Sequence, residues 1–164
     1  MKSSIIIFTL VTFVIMISSC TKRDDMETLP KNSINGDYLY ESNSKYYKSD
    51  GQFDTEITSN GSIFMKLNSS VLYIEVRPSI GYIYQVHCNN IQHHGDTTTF
   101  RINRQEISIG DQLFSLQGSN ELSVGSFGYH DGYYTGKKVY FKYRSLNTSS
   151  LDIAKTYIVA TKRN

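Results

Sequence analysis

The side chains with the most chemical potential gather in two short stretches. His87, Cys88, His93 and His94 fall within eight residues, with Asp96 just behind them. Imidazole and thiolate are good ligands for zinc or copper. A hairpin built from Tyr82–Cys88 and Thr98–Asn103 would bring the residues at its tip together. The spacing works against a site, because neighbouring residues on a strand point to opposite faces, which separates His93 from His94 and His87 from Cys88. The expectation is therefore a polar hairpin loop with a buried thiol, no native metal and no cofactor. The second stretch is His130-Asp131-Gly132-Tyr133-Tyr134. Adjacent His and Asp seldom hold each other in a catalytic hydrogen bond, and the dipeptide before Gly132 reads as a turn. The sequence also lacks a nucleophile elbow, a Gly-rich phosphate loop and HExxH, so we expect no enzyme activity.

Tyrosine is the commoner candidate. The chain holds 13 Tyr and 8 Phe but no Trp, and the tyrosines come in close pairs: Tyr38/Tyr40, Tyr46/Tyr47, Tyr82/Tyr84 and Tyr133/Tyr134. Phenol rings stack on sugars and also pack well on half-buried strands. Tyr46, Tyr47, Tyr133 and Tyr134 are the candidates for an aromatic binding surface.

Cys20 has its own chemistry. Met1-Lys2 supplies a minimal positive start, and Ile5–Ile17 is apolar apart from Thr9 and Thr12. That run is shorter than the roughly 20 residues needed to span a bilayer, but it suits a secretory signal. Small Ser18-Ser19 then precede Cys20. Ile17-Ser18-Ser19-Cys20 resembles the lipobox of bacterial lipoproteins. That resemblance implies cleavage after residue 19, a diacylglycerol thioether on Cys20 and an acylated new amine. Two or more acyl chains anchor stably where one binds only marginally. With Cys20 taken by lipid, Cys88 has no intramolecular partner and no disulfide framework exists.

Cleavage would leave 145 of the 164 residues with a net charge of +1, since Lys2 is the one charge removed. That length can bury one sizeable core. Near-neutral charge argues against a nucleic-acid partner. Residues 20–35 are polar, contain Pro30 and show no apolar period, so they read as a lipidated N-terminus and flexible tether.

From Gly36 the apolar period is two. Leu72, Ile74 and Val76 share one face; Val139, Phe141 and Tyr143 share another; Tyr157 and Val159 alternate with Ile158 and Ala160. Shorter strands are expected at Asp37–Glu41, Ser62–Leu67, Tyr82–Cys88, Thr98–Asn103, Glu106–Ile109, Gln112–Gln117 and Glu121–Phe127. Turns are expected at Asn60-Gly61, Gly81, Gly95-Asp96, Gly110-Asp111, Gly118-Ser119, Asp131-Gly132 and Gly136. Residues 36–164 thus read as one all-β domain, an antiparallel up-and-down barrel with a β-sandwich as the alternative.

Several stretches resemble small Bacteroidetes lipoproteins with a lipocalin-like domain. They are Gly36-Asp37-Tyr38, Phe100-Arg101-Ile102-Asn103-Arg104-Gln105 (with Asn103 where the family usually has Pro), Leu116-Gln117-Gly118, Thr135–Tyr143 and Thr156–Thr161. The resemblance implies a lipocalin-like barrel lipid-anchored at the outer membrane, with no activity or site residue to transfer beyond Cys20. Asp24-Asp25 resembles the acidic surface-export signal of such proteins, leaving the cell surface and the periplasmic face both open. Asp96-Thr97-Thr98 fits their O-glycan pattern and makes Thr97 a candidate modification site. The leading expectation is a non-catalytic domain that binds a small apolar ligand inside the barrel or mediates an interaction. The alternative is a surface module that holds a glycan or a protein with external tyrosines.

Overall fold

The computed structural model describes residues 33–164. Cys20, the leader and the Asp24-Asp25 pair lie outside the described residues. Twelve strands follow one another: β1 Gly36–Tyr47, β2 Phe53–Asn68, β3 Val71–Pro78, β4 Tyr84–His94, β5 Thr97–Ile102, β6 Gln105–Ile109, β7 Gln112–Gly118, β8 Leu122–Ser123, β9 Tyr129–His130, β10 Gly132–Thr135, β11 Lys138–Asn147 and β12 Ile153–Lys162. Among the described residues there is no α-helix, only a 3-10 turn at Gly125–Phe127. The fold is all-β and antiparallel throughout.

Ten strands form one sheet in the order β10-β5-β4-β3-β2-β1-β12-β11-β7-β6, and β10 also pairs with β11. That extra pairing closes eight strands into a ring. β1 to β5 run as a meander, β10 to β12 as another, and the two meet at β1–β12 and β5–β10. Closure satisfies the strand edges that a small open sheet would leave free.

β11 is shared along its length. Lys138–Phe141 pairs with β10, whereas Tyr143–Asn147 pairs with β7. The wall therefore forks, and Asp131 sits at the fork. Its buried carboxylate accepts the Ile102 N–H at 2.9 Å and the Asn120 N–H at 2.5 Å, with Arg101 Nη1 3.9 Å away. A methyl on Gly118 would occupy the space of that carboxylate. On the other side of the fork, β6 meets β4 through a side chain. Gln105 accepts from His87 N–H and donates to His87 O, both at 3.0 Å, standing in for a ladder rung.

The core fills one end of the ring. Tyr38, Ile63, Met65, Leu72, Ile74, Val86, Phe100, Phe141 and Ile158 are fully buried there. Ile34 is buried with them, and its carbonyl accepts the Tyr38 hydroxyl at 2.6 Å. Asn35 Oδ1 accepts the Leu67 N–H at 2.6 Å. The expected tether boundary at residue 35 thus moves: Ser33 to Asn35 belong to the barrel, because one apolar side chain and one carboxamide suffice to plug its end.

One expected turn and one expected strand change. Asn60-Gly61 is strand interior, not a turn. Gly61 pairs with Tyr40 and with Pro78, and a side chain there would overlap Arg77 O. The glycine marks a close approach of two backbones. The real β1–β2 hairpin lies at residues 48–52, around Gly51 with φ +86°. Glu121–Phe127 is not one strand, since Gly125 at φ +53° starts the 3-10 turn.

Candidate functional site

Along β1 the inward residues run Tyr38, Tyr40, Ser42, Ser44, Tyr46, from the packed end to the other. β11 and β12 change in the same direction, from Phe141 to Tyr143 and Ser145 and from Ile158 to Thr156 and Ala154. The interior passes from hydrocarbon to hydroxyl. Small side chains leave space, and a cavity of about 280 Å³ remains at that end. Ile107, Ile109 and Phe114 of the β6–β7 hairpin give it one apolar wall.

The hydroxyls pair around it. Tyr84 and Tyr143 share a hydrogen bond of 2.6 Å, and Ser44 and Thr156 one of 2.9 Å. Ser42 Oγ donates to Ser59 O at 3.4 Å. A bonded pair of hydroxyls uses one proton between its two oxygens, so each pair retains donor and acceptor capacity for a guest. Burial pushes the Tyr143 phenol up to about 12 and the Tyr84 phenol well above its ordinary value. Both stay protonated at neutral pH, able to hydrogen-bond but not to act as bases.

The loop Ser79–Ile83 crosses the mouth. Ile80 is 92% exposed, and Ile83 is exposed too. Tyr82 lays its ring on Gly110, where a methyl would come within 2.8 Å of a ring carbon. The loop therefore rests on the β6–β7 turn through the Tyr82 ring.

No family model matches the chain, and no curated protein does. A Bacteroides ovatus protein of unknown function has a similar solved structure, with a TM-score of 0.43 and 12% identity. The match covers 79% of this chain and 42% of that one, so this chain spans less than half of that protein's length.

The four tyrosines proposed as one aromatic surface do not form one. Tyr46 lines the cavity. Tyr134 is buried in the core, edge-on to Tyr38 at 6.5 Å. Tyr47 faces outward against Phe53, and Tyr133 faces outward, stacked on Tyr140 at 4.7 Å. Strand alternation splits each adjacent pair between inside and outside. Thr97 opens β5 half-buried, its hydroxyl 3.4 Å from Thr135 Oγ1, rather than standing in open solvent.

The histidines and Cys88 are also dispersed. Cys88 is buried in the core, and burial with the nearby Asp131 charge pushes its thiol up. His87 meets Tyr73 edge-on at 5.0 Å. His93 Nδ1 bonds Thr98 Oγ1 at 2.9 Å, and His94 stacks on Phe127 at 4.1 Å. Among the described residues no three His, Cys, Asp or Glu side chains stand close enough to share a metal ion. The His130-Asp131 pair does lie at a bend, but a buried one: His130 Nε2 bonds Phe127 O at 2.8 Å while Asp131 braces the fork.

Sequence reading expected an interior site but gave neither its position nor its hydroxyl lining. Its signal is the alternate hydroxyls Ser42 and Ser44, which sit in a stretch that reads as polar loop.

Proposed function

We propose that this chain is a lipid-anchored outer-membrane protein whose barrel binds, without catalysis, a small neutral molecule in the hydroxyl-lined cavity. One observation carries this reading: among the described residues, no Lys, Arg, His, Asp or Glu lines the cavity. A charged guest would lose its hydration with no counter-ion to replace it. A purely aliphatic guest would cut the serine, threonine and tyrosine hydroxyls off from water without offering them hydrogen bonds. The favoured guest has a ring to lie against the phenols and one or more hydroxyls or carbonyls to meet Ser44, Tyr84 and Tyr143. A cavity of about 280 Å³ falls at the low end of small-molecule sites, which keeps that guest small. This guest differs from the small apolar ligand expected from sequence in carrying polar groups.

Saturation-transfer NMR with benzyl alcohol, a methyl glycoside and benzoate tests the charge rule. At least one neutral probe should give signals that Ser44→Phe, which fills the cavity, removes. Benzoate binding as well as the neutral probes, or signals unchanged by Ser44→Phe, would overturn the assignment.

The anchor is supported by the order of positive start, apolar run, small pair and cysteine in residues 1–20. In cells, wild-type protein should partition into detergent and Cys20→Ala should stay aqueous. A native N-terminus without acyl mass would remove the anchor from the proposal and leave the cavity reading standing.

A further inference from the structure

Outside the ring, three cations stand in a register that strand pairing alone disfavours. Arg144 on β11 is directly opposite Lys155 on β12, and Lys155 is directly opposite Lys45 on β1. Like charges facing each other across a sheet are destabilising. Lys45 has Glu56 3.9 Å away, but among the described residues Arg144 and Lys155 have no carboxylate within salt-bridge distance. Lys155 instead lies 5.5 Å over the Tyr47 ring.

Two residues along the strands the face turns aromatic. Lys142 is opposite Tyr157, which is opposite Asn43, and the Lys142 ammonium lies 5.4 Å over the Tyr157 ring. Two residues further, Tyr140 carries the stacked Tyr133. The cationic row and Tyr157 line an outer concavity of about 560 Å³, with four cations against the carboxylates of Glu56 and Glu121. Here Tyr133, one of the sequence candidates, does join an outward aromatic group, whose other members are Tyr140 and Tyr157.

We propose that this outer face binds an acidic oligosaccharide, with carboxylate or sulfate groups on Arg144, Lys155 and Lys45 and sugar rings along Tyr157 and Tyr140. An anion bound there removes the repulsion that the free sheet carries, which gives the register a purpose. The row crosses two strand spacings, roughly 10 Å, and so suits a short anionic repeat. Glu56 flanks it on β2, and Glu121 lies 3.7 Å from Lys142 at the other side. A long polyphosphate would run onto these carboxylates, whereas an oligosaccharide can offer them hydroxyls, as it can the Asn43 and Gln117 amides. The face lies on the opposite side of the same strands from the cavity, so either site can fail without the other.

The test is calorimetric titration of the full-length protein with oligogalacturonate, a heparin oligosaccharide, neutral dextran and single-stranded RNA. At least one acidic glycan should bind, dextran should not, and added salt should weaken the binding. Lys155→Glu should lower acidic-glycan affinity by about tenfold or more. The same variant should keep or raise the melting temperature, because it places a carboxylate between Arg144 and Lys45. Tyr157→Ala should weaken binding while leaving its salt dependence in place. The proposal is overturned if neither acidic glycan binds, if dextran or RNA binds as tightly as both, or if folded Lys155→Glu binds like wild type.

Discussion

At the residue scale, Asp131 shows how a site-like sequence can serve the frame. Beside His130 it looks like half of an acid–base pair. In the fold its carboxylate takes two backbone N–H groups from segments that have no ladder partner at the fork. Asp131→Ala would strand the buried Ile102 N–H, at a cost of about 1–3 kcal/mol, whereas the Asn120 N–H lies on an exposed residue that water can reach. We expect a loss of roughly 1–3 kcal/mol in urea unfolding. An unchanged unfolding midpoint would show that the fork holds without its carboxylate. Cys88 belongs to the same scale. Packed in the core with its thiol pushed up, it should resist thiol reagents in the native state and react once the protein unfolds. Rapid native labelling would contradict its placement.

At the element scale, pairing overrules composition. The stretch Ser42-Asn43-Ser44-Lys45 has poor strand propensity, so β1 reads as ending at Glu41. It continues to Tyr47 because β2 and β12 bind it on both sides. β2 likewise runs through Asn60-Gly61, an outstanding turn signal in isolation. Its glycine is needed because Arg77 O occupies the place of a side chain. Gly61→Val should prise β2 from β3 and cost about 3 kcal/mol or more, read as a lowered thermal midpoint. At the other seam, Gln105→Leu removes both side-chain bonds to His87; the His87 N–H loses the Gln105 acceptor, while its carbonyl still accepts the Asn103 N–H at 3.0 Å. A loss of about 1–3 kcal/mol is expected, with faster amide exchange at His87 as the local signature. Unchanged exchange there would mean that the seam is held by other contacts.

At the scale of the whole molecule, buried phenols tie stability to alkaline pH. Burial raises Tyr143 from 10.0 to about 12 and also raises Tyr38, Tyr40 and Tyr84. A phenol whose folded pKa exceeds its unfolded value contributes full stability below pH 10. That contribution falls away as pH rises toward about 12 for Tyr143. Urea midpoints should therefore decline through this window, accompanied by rising tyrosinate absorbance. Tyr143→Phe should flatten part of the decline. A stability curve already falling well below pH 10 would assign the loss to other groups.

Strand periodicity alone determined the all-β class and the up-and-down run of hairpins, since a period of two survives wherever one face is buried and the other wet. Most turns were legible as well, because Gly95, Gly110 and Gly136 adopt positive φ that other residues rarely take. The fork at β11, the plug at Ile34 and the position and lining of the cavity were not legible. Each depends on which distant strands come side by side, and local residue preference carries no record of that. Nor could the sequence show that Tyr46 and Tyr134 face inward while Tyr47 and Tyr133 face out. Alternation states that neighbours differ, and only ring closure decides which side is the interior.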